Sequence, residues 1–418
     1  MPSTQPPPAD KQQATALAPA TVRWSDGGVE RQARWRSEGG WPAPETVAIA
    51  DEKLAADEAF RLVSAGTALL WRGDFQAARQ LLSALGTRID KRNRRAPRDL
   101  ALAFRQHREQ SFHRARLLSL LLVPLDADYT VLLRRAPQVA DACSEAYGAA
   151  AVGVAASGAT RATPVPGDSV VALRELLGVI GAHEWRRRGV EVPELDVRVP
   201  GEPARPGRIH PHYGVFSPVR GEYLELVATA PLPADAAEIG RAVDVGTGTG
   251  VIAAILAHRG IRNVTATDLD ARAIACAREN VDRLGYARQV EVVAADLFAP
   301  GLADLIVCNP PWLPAEARIP SDYAVYDPDS QMLRGFLGGL RAHLNPGGEG
   351  WLIISDLAER LGLRSRGELL DLIEDSGLRV IERHDTRPTH ARSSDASDPL
   401  HAARAREITS LWRLGASA

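Results

Sequence analysis

The sequence predicts an α/β protein in two parts: a C-terminal doubly wound sheet of seven strands and, ahead of it, a mostly helical N-terminal domain. Three observations carry that expectation. Past Pro200, strand-like and helix-like segments alternate. The first of those strands runs into Gly246-Thr247-Gly248-Thr249-Gly250, a glycine turn of the kind that joins a strand to a helix. Before Pro200, apolar residues recur instead at three- and four-residue spacing, the signature of amphipathic helices.

Residues 1–45, rich at first in Pro, Gln and Ala, read as a disordered tail. Trp24, Trp35 and Trp41 are unusual there; docking on the protein's own surface is the plainer reading, contact with a partner the sharper one. Residues 46–200 read as the helical domain. Its first clear helix carries Phe75, Ala78, Leu81, Leu82 and Leu85, with Gly86 as C-terminal cap. A second runs from about Arg98 through Leu102, Phe104, Leu117, Leu118 and Leu121 to Pro124, and a third from Ser169 to about Arg188. Between them Gly148–Gly167, with its small residues and two prolines, reads as a loop or hinge. Residues 201–240 are expected to be linker and lid, and 241–418 the sheet domain. Its strands are read at 241–246, 263–268, 290–295, 303–309, 348–355, 378–385 and 407–414.

Composition narrows the class. At 418 residues the chain can bury sizeable cores without disulfide or metal support. A net charge of -2 and a pI near 6.6 give no global nucleic-acid signature. Lys11, Lys53 and Lys91 are the only lysines, so the basic residues are almost all arginine, which reads as coding bias as much as function. Cys143, Cys276 and Cys308 form no C-x-x-C pair, which argues for a reducing compartment and against a zinc site. The first 20 residues lack a basic start followed by an apolar stretch, and no apolar run approaches membrane-spanning length. A cytoplasmic protein that does not engage a membrane is expected.

Two motifs carry the chemistry. In the first, Asp244 precedes Gly246, Gly248 and Gly250 at alternate positions. No Gly-Lys-Ser/Thr follows, so this is not a phosphate-binding P-loop. Nor is the spacing the G-x-G-x-x-G that leaves room for a pyrophosphate. The next strand ends Thr267-Asp268-Leu269-Asp270, where an acid can accept from both hydroxyls of a ribose. The third ends Ala295-Asp296-Leu297-Phe298. Each lone Asp reads by itself as a turn or helix-cap residue; three strand-tip acids beside a glycine turn do not. In the second motif the apolar strand Leu305–Cys308 runs into Asn309-Pro310-Pro311-Trp312.

The two motifs, in this order, resemble the class I S-adenosylmethionine-dependent methyltransferases, in the branch that methylates amide or base nitrogens. The stretch 213–226, Tyr-Gly-Val-Phe-Ser-Pro-Val-Arg-Gly-Glu-Tyr-Leu-Glu-Leu, is similar to the segment ahead of the catalytic domain in protein-glutamine methyltransferases of release factors and of a large-subunit ribosomal protein. In those, Pro and Arg are adjacent and Tyr follows the Asn-Pro-Pro; here Val219 separates Pro218 from Arg220, and the aromatic is Trp312. The resemblance covers roughly residues 208–418. It implies a Rossmann-like sheet of seven strands whose last strand enters antiparallel. It implies S-adenosyl-L-methionine as cofactor, held by Asp244, Gly246, Thr247, Gly248, Gly250, Asp268, Leu269, Asp296, Leu297 and Asn309, with Asp296 accepting from the adenine amino group.

The chemistry explains the second motif. An amide or base amino nitrogen has a delocalised lone pair, which it must redirect toward the incoming methyl. The Asn309 side-chain carbonyl and the Pro310 backbone carbonyl can each accept one of its N–H groups. Pro310 and Pro311 donate no backbone N–H and fix the chain. Trp312 offers a face to a planar substrate. Cys308 reads as buried packing. The expected function is therefore N-methylation of a planar nitrogen, with a protein or RNA partner from translation. A glutamine side chain leads, an rRNA guanine or adenine amino group follows, and a catalytically idle RNA- or protein-binding module of the same fold is the alternative from another class.

Other signals stay open. Residues 88–116 hold ten Arg or Lys against Asp90, Asp99 and Glu109, which reads equally as an RNA- or ribosome-facing surface and as a solvated helix. His210 and His212 flank a proline without an evident third metal ligand, so a structural or lid role is expected. His384–His401 reads as a substrate-side or a plain connecting loop, and Trp351 and Trp412 as core.

Overall fold

The computed structural model describes residues 20–91, 97–150, 168–197, 205–218, 221–388 and 398–417. The chain starts with a hairpin, β1 (Thr21–Asp26) and β2 (Val29–Arg36). Its two-residue turn needs left-handed backbone, which Gly27 (φ 58°) and Gly28 (φ 82°) supply. Val22, Ala33 and Trp35 are buried, and the Trp35 indole N–H donates to the Trp41 carbonyl at 2.7 Å. Residues 21–36 are thus strands of a folded sheet and not the expected tail; the expectation for 1–19 lies outside the described residues.

After the hairpin come β3 (Val47–Ala50), α1 (Ala56–Ser64), β4 (Ala68–Trp71), α2 (Phe75–Asp90), α3 (Leu100–Leu118), β5 (Leu121–Leu125), α4 (Ala140–Tyr147), β6 (Ser169–Ala172) and α5 (Leu173–Arg188). The strands form a six-stranded sheet in the order β1-β2-β6-β5-β4-β3. The N-terminal domain is therefore α/β, not mostly helical. The expected helices exist, but short strands are spliced onto their ends. Ala68–Trp71, Leu121–Leu125 and Ser169–Ala172 are buried at nearly every position, so they show no alternation. A short, wholly apolar run cannot be told from a buried helix segment by periodicity. Gly86 does not cap α2, which continues to Asp90; the Arg114 guanidinium lies beside it, 2.8 Å from where a Cβ would sit. Most of the expected hinge, residues 151–167, lies outside the described residues.

The expected linker 201–240 is also structured. β7 (Val190–Val197) and β8 (Arg205–Ile209) make an antiparallel hairpin, and α6 (Glu222–Thr229) follows. The second sheet is built from β9 (Ala242–Val245), α7 (Val251–His258), β10 (Val264–Asp268), α8 (Ala271–Arg283), β11 (Val290–Ala294), β12 (Ala303–Cys308), α9 (Gln331–His343), β13 (Leu344–Ser355), α10 (Leu357–Arg360), α11 (Arg366–Asp375), β14 (Leu378–Thr386), α12 (His401–Arg404) and β15 (Thr409–Ala416). All seven expected strands are present, in the order β11-β10-β9-β12-β13-β15-β14. β11 through β13 run parallel, and β15 enters antiparallel between β13 and β14.

Apolar clusters cover both faces of this sheet. α6, α7 and α8 pack on one, with Trp351 fully buried; α9 and α11 pack on the other, with Phe336 and Trp412. Every residue of α7 except His258 is buried, which makes it the inner helix behind the glycine turn. The two lobes meet through ion pairs as well as apolar contact: Arg186 of α5 reaches Glu279 of α8 at 2.9 Å, and Arg272 reaches Glu38 at 2.7 Å. Among the described residues no helix is long and apolar enough to cross a membrane.

Phe336→Ala empties a fully enclosed site in the second sheet. It should cost about 3–5 kcal/mol of unfolding free energy in a urea titration; a loss below about 1 kcal/mol would mean that this face of the sheet is not packed as described.

Candidate active site

The site lies where three strand ends coincide. Val245 of β9 pairs with Thr267 on one side and Cys308 on the other, so Gly246, Asp268 and Asn309 each stand one residue past the same line. Parallel strands point their carboxyl ends the same way, and ligands of open α/β sheets bind outside those ends. Both sequence motifs therefore share one end of the sheet.

Asp244 is buried under the glycine turn and holds it shut. Its Oδ2 accepts from the Thr247 hydroxyl at 2.6 Å and from the Ala253 amide at 3.0 Å, while its Oδ1 is buried with no hydrogen-bond partner. Burial pushes the carboxyl up to about 7, against the two hydrogen bonds, with the nearby Asp268 charge adding to the push. Gly246 has φ 69°, a backbone conformation that strains any L side chain, and the Met332 methyl lies 2.6 Å from where a Cβ would sit. Gly250, at φ 81°, stands at the start of α7.

The half-buried Asp268 accepts from the Gly248 amide at 2.9 Å and from the Asp270 amide at 3.0 Å. A carboxylate has about four lone-pair directions, so two remain for a diol. Leu269 beside it is 70% exposed, an apolar side chain standing free next to an acid. Asp296 is exposed at the tip of β11, and Leu297 follows in left-handed backbone (φ 62°) with its carbonyl accepting from the Thr267 hydroxyl at 2.6 Å. Phe298 anchors this turn by stacking on His343 at 4.3 Å. The turn, the lone pairs of Asp268, the free Leu269 and the orphaned Asp244 oxygen fit a nucleoside carrying a polar tail.

Asn309 is half-buried. Its Oδ1 accepts from the Trp312 indole N–H at 2.9 Å, and the buried Tyr223 hydroxyl faces the carboxamide. Trp312 was expected to offer a free face; its ring packs against the apolar clusters on both faces of the sheet and its N–H orients Asn309. Pro310 is buried and Pro311 half-buried. Cys308 is fully buried, which drives its thiol far above the ordinary range and removes it as a nucleophile. Tyr223, which the sequence reading passed over, sits in the quoted stretch 213–226; its signal was an aromatic inside a helix aimed at the motif. Val219 and Arg220 of that stretch lie outside the described residues.

The remaining candidates go elsewhere. His210 joins α5 to α8, its Nδ1 2.6 Å from the Arg186 carbonyl and its amide donating to Asn280, while His212 Nε2 lies 2.5 Å from Glu279 of α8. In the basic run, Arg88 pairs with Asp57, Arg114 with Asp90, and Arg108 with the loop after Trp312; Arg92, Arg94 and Arg95 lie outside the described residues, as do His390 and Arg392.

Residues 207–360 match the model of a family described as the methyltransferase small domain. A release factor glutamine methyltransferase of Cereibacter sphaeroides is 35% identical over 150 residues, covering 32% of this chain and 51% of its own length. Another, from Moorella thermoacetica, is 41% identical over 117 residues (26% and 41%). A tRNA1(Val) (adenine(37)-N6)-methyltransferase of Bacteroides thetaiotaomicron is 40% identical over 77 residues (17% and 32%). The chain spans about half the length, or less, of these curated relatives. The family match, residues 207–360, takes in β8, α6 and the second sheet as far as α10.

The buried Asp244 makes stability depend on pH in a defined direction. Its carboxyl titrates near 3.8 when free and near 7 when folded, so between those values the folded protein keeps a proton that the unfolded chain has lost. Stability then falls as pH rises through that window. Asp244→Asn removes the effect: relative to wild type it should gain on the order of 2–4 kcal/mol between pH 4 and pH 8. Urea melts of ligand-free protein at the two pH values test this, and parallel behaviour of the two proteins would refute a raised carboxyl.

Proposed function

We propose that the protein transfers a methyl group from S-adenosylmethionine to a planar nitrogen, and that its acceptor is a glutamine side-chain amide of a translation protein. The observation that carries this reading is the strand register: Gly246, Asp268 and Asn309 all follow residues paired across β10, β9 and β12. A cofactor cradle and an amide clamp at one end of one sheet form the minimum equipment for the reaction. Similarity to release factor glutamine methyltransferases supports the acceptor.

When bound, S-adenosylmethionine supplies an electrophilic methyl on a sulfonium. The chain's own residues do the rest. Asp268 offers its remaining lone pairs to the ribose hydroxyls, Asp296 and the turn at Leu297 receive the adenine edge, and Leu269 covers the ring. The glycine turn lets the backbone approach the amino-acid tail. Asn309 Oδ1, with one lone pair taken by Trp312, keeps the other for an acceptor N–H. The Pro310 carbonyl takes the second N–H. Two accepting carbonyls aim the nitrogen lone pair and stabilise the positive charge that develops on it. No strong base is needed, because the proton leaves after transfer; most of the rate enhancement is positioning. The same clamp suits the amino group of a base, and the similarity to a tRNA adenine methyltransferase favours RNA as the second reading.

Asn309→Ala should lower kcat by about 10²–10³-fold while calorimetric affinity for S-adenosylmethionine stays within about threefold; equal loss of both would remove Asn309 from the acceptor clamp. Asp268→Ala should weaken cofactor affinity by about 10–100-fold, partly through the ribose and partly because the Gly248 amide loses its acceptor. Unchanged affinity would take the ribose contact away. Tritiated-methyl labelling of an extract from cells lacking the protein tests the acceptor: counts in protein support glutamine, counts in RNA the second reading.

A further inference from the structure

We propose that Arg108, on α3 of the N-terminal lobe, is a positioning residue for methyl transfer: it fastens the loop Leu313–Asp327 and thereby sets the aim of the acceptor clamp. This rests on the function proposed above.

The loop begins directly after Trp312 and closes on itself. The Asp327 amide donates to the Leu313 carbonyl at 2.9 Å, and Leu313 and Tyr326 form an isolated bridge. The buried Asp327 carboxylate then accepts from the Met332 and Leu333 amides at 2.9 and 3.1 Å, capping α9. Met332 in turn is the residue whose methyl crowds Gly246. One continuous piece of chain therefore joins Asn309, through the loop, to the glycine turn. A loop of this kind has little structure of its own, and its shape depends on what holds its far side.

The far side is held by the other lobe. The Arg108 guanidinium lies 4.0 Å above the Tyr326 ring, donates to the Glu316 carbonyl, and stands 3.9 Å from the Asp322 carboxylate. Its side chain is 11% exposed, so these contacts are shielded from competing water. On the next residue of α3, Glu109 pairs with Arg318, and one turn further Phe112 lies 5.0 Å beneath the Arg318 guanidinium. Under them Phe104 joins Leu313, Leu361 and Leu400 in a dry cluster. Arg108 reaches three points of the loop at once, which is what a planar guanidinium with five donors does and an ammonium does not.

The test separates the clamp from the chemistry. In the full-length protein, Arg108→Ala should speed amide hydrogen exchange in residues 313–327 at least about tenfold, while exchange in β9 and β10 and the calorimetric Kd for S-adenosylmethionine stay at wild type. At saturating cofactor, incorporation of tritiated methyl into macromolecules of an extract lacking the protein should fall about 10–100-fold, since a displacement near 1 Å is enough for such a loss. Arg108→Lys should recover only part of both. Unchanged exchange, or faster exchange with undiminished transfer, would overturn the assignment, and so would a loss shared equally by cofactor affinity. A wild-type protein that transfers no methyl would instead overturn the function on which the assignment rests.

Discussion

The whole site depends on the register of β9 between its two neighbours. Val245 is paired with Thr267 and with Cys308 at the same level, so three chain segments leave the sheet abreast. Side chains alternate along a strand, and a slip of one residue in either ladder would exchange the inward and outward sets. It would turn Asp244 out from under the glycine turn and detach Asp268 from the Gly248 amide. The register is held by burial on both faces: Val243 and Val245 sit in one apolar cluster, Ala242, Leu305 and Val307 in the other. Core packing and site geometry are thus one constraint. The cost is the carboxylate of Asp244, which has one oxygen tied to the turn and one buried without a partner.

A second layer of organisation comes from the N-terminal lobe. Its six-stranded sheet could have been a separate domain on a tether, but its helices touch the second sheet at its working end. α5 meets α8 through Arg186, Glu279 and His212, the loop around Glu38 meets Arg272 at the start of α8, and α3 meets the loop after Trp312. Arginine suits these junctions, because it can pair with a carboxylate and stack on an aromatic ring together. Within the basic run of α3, Arg108 makes such a junction with the loop after Trp312.

What could be read from the sequence follows from how local each feature is. β9 through β15 were legible because each is an apolar run bounded by turn residues and, β11 and β12 aside, separated from the next by a helix. The strand-tip residues Asp244, Asp268, Asp296 and Asn309 were legible because their meaning depends on position at a strand end, which the motif itself announces. β4, β5 and β6 were not, since strands buried on both faces carry no period. The first hairpin was legible in principle: Asp26-Gly27-Gly28 between alternating residues is a strong turn signal, overlooked under the bias of the residues before it. The partners of Asn309 were harder. Trp312 is three residues away and was read as a plate, not as a donor; Tyr223 is on another helix. Arg108 and Glu316 are 208 residues apart, and no pattern in one chain links such a pair.

The three separated junctions between the lobes have a mechanical meaning. The backbone crosses from one lobe to the other by way of the β7–β8 hairpin, yet the two bodies are seated on each other like a tripod on a table. Three contacts resist rocking better than one. The first sheet is therefore a foundation and not an appendage. Cutting the chain ahead of β7 would bare Leu313, Leu361 and Leu400 and strip Arg272 of Glu38 and Arg318 of Glu109. What remained would be a sticky fragment rather than a self-sufficient unit.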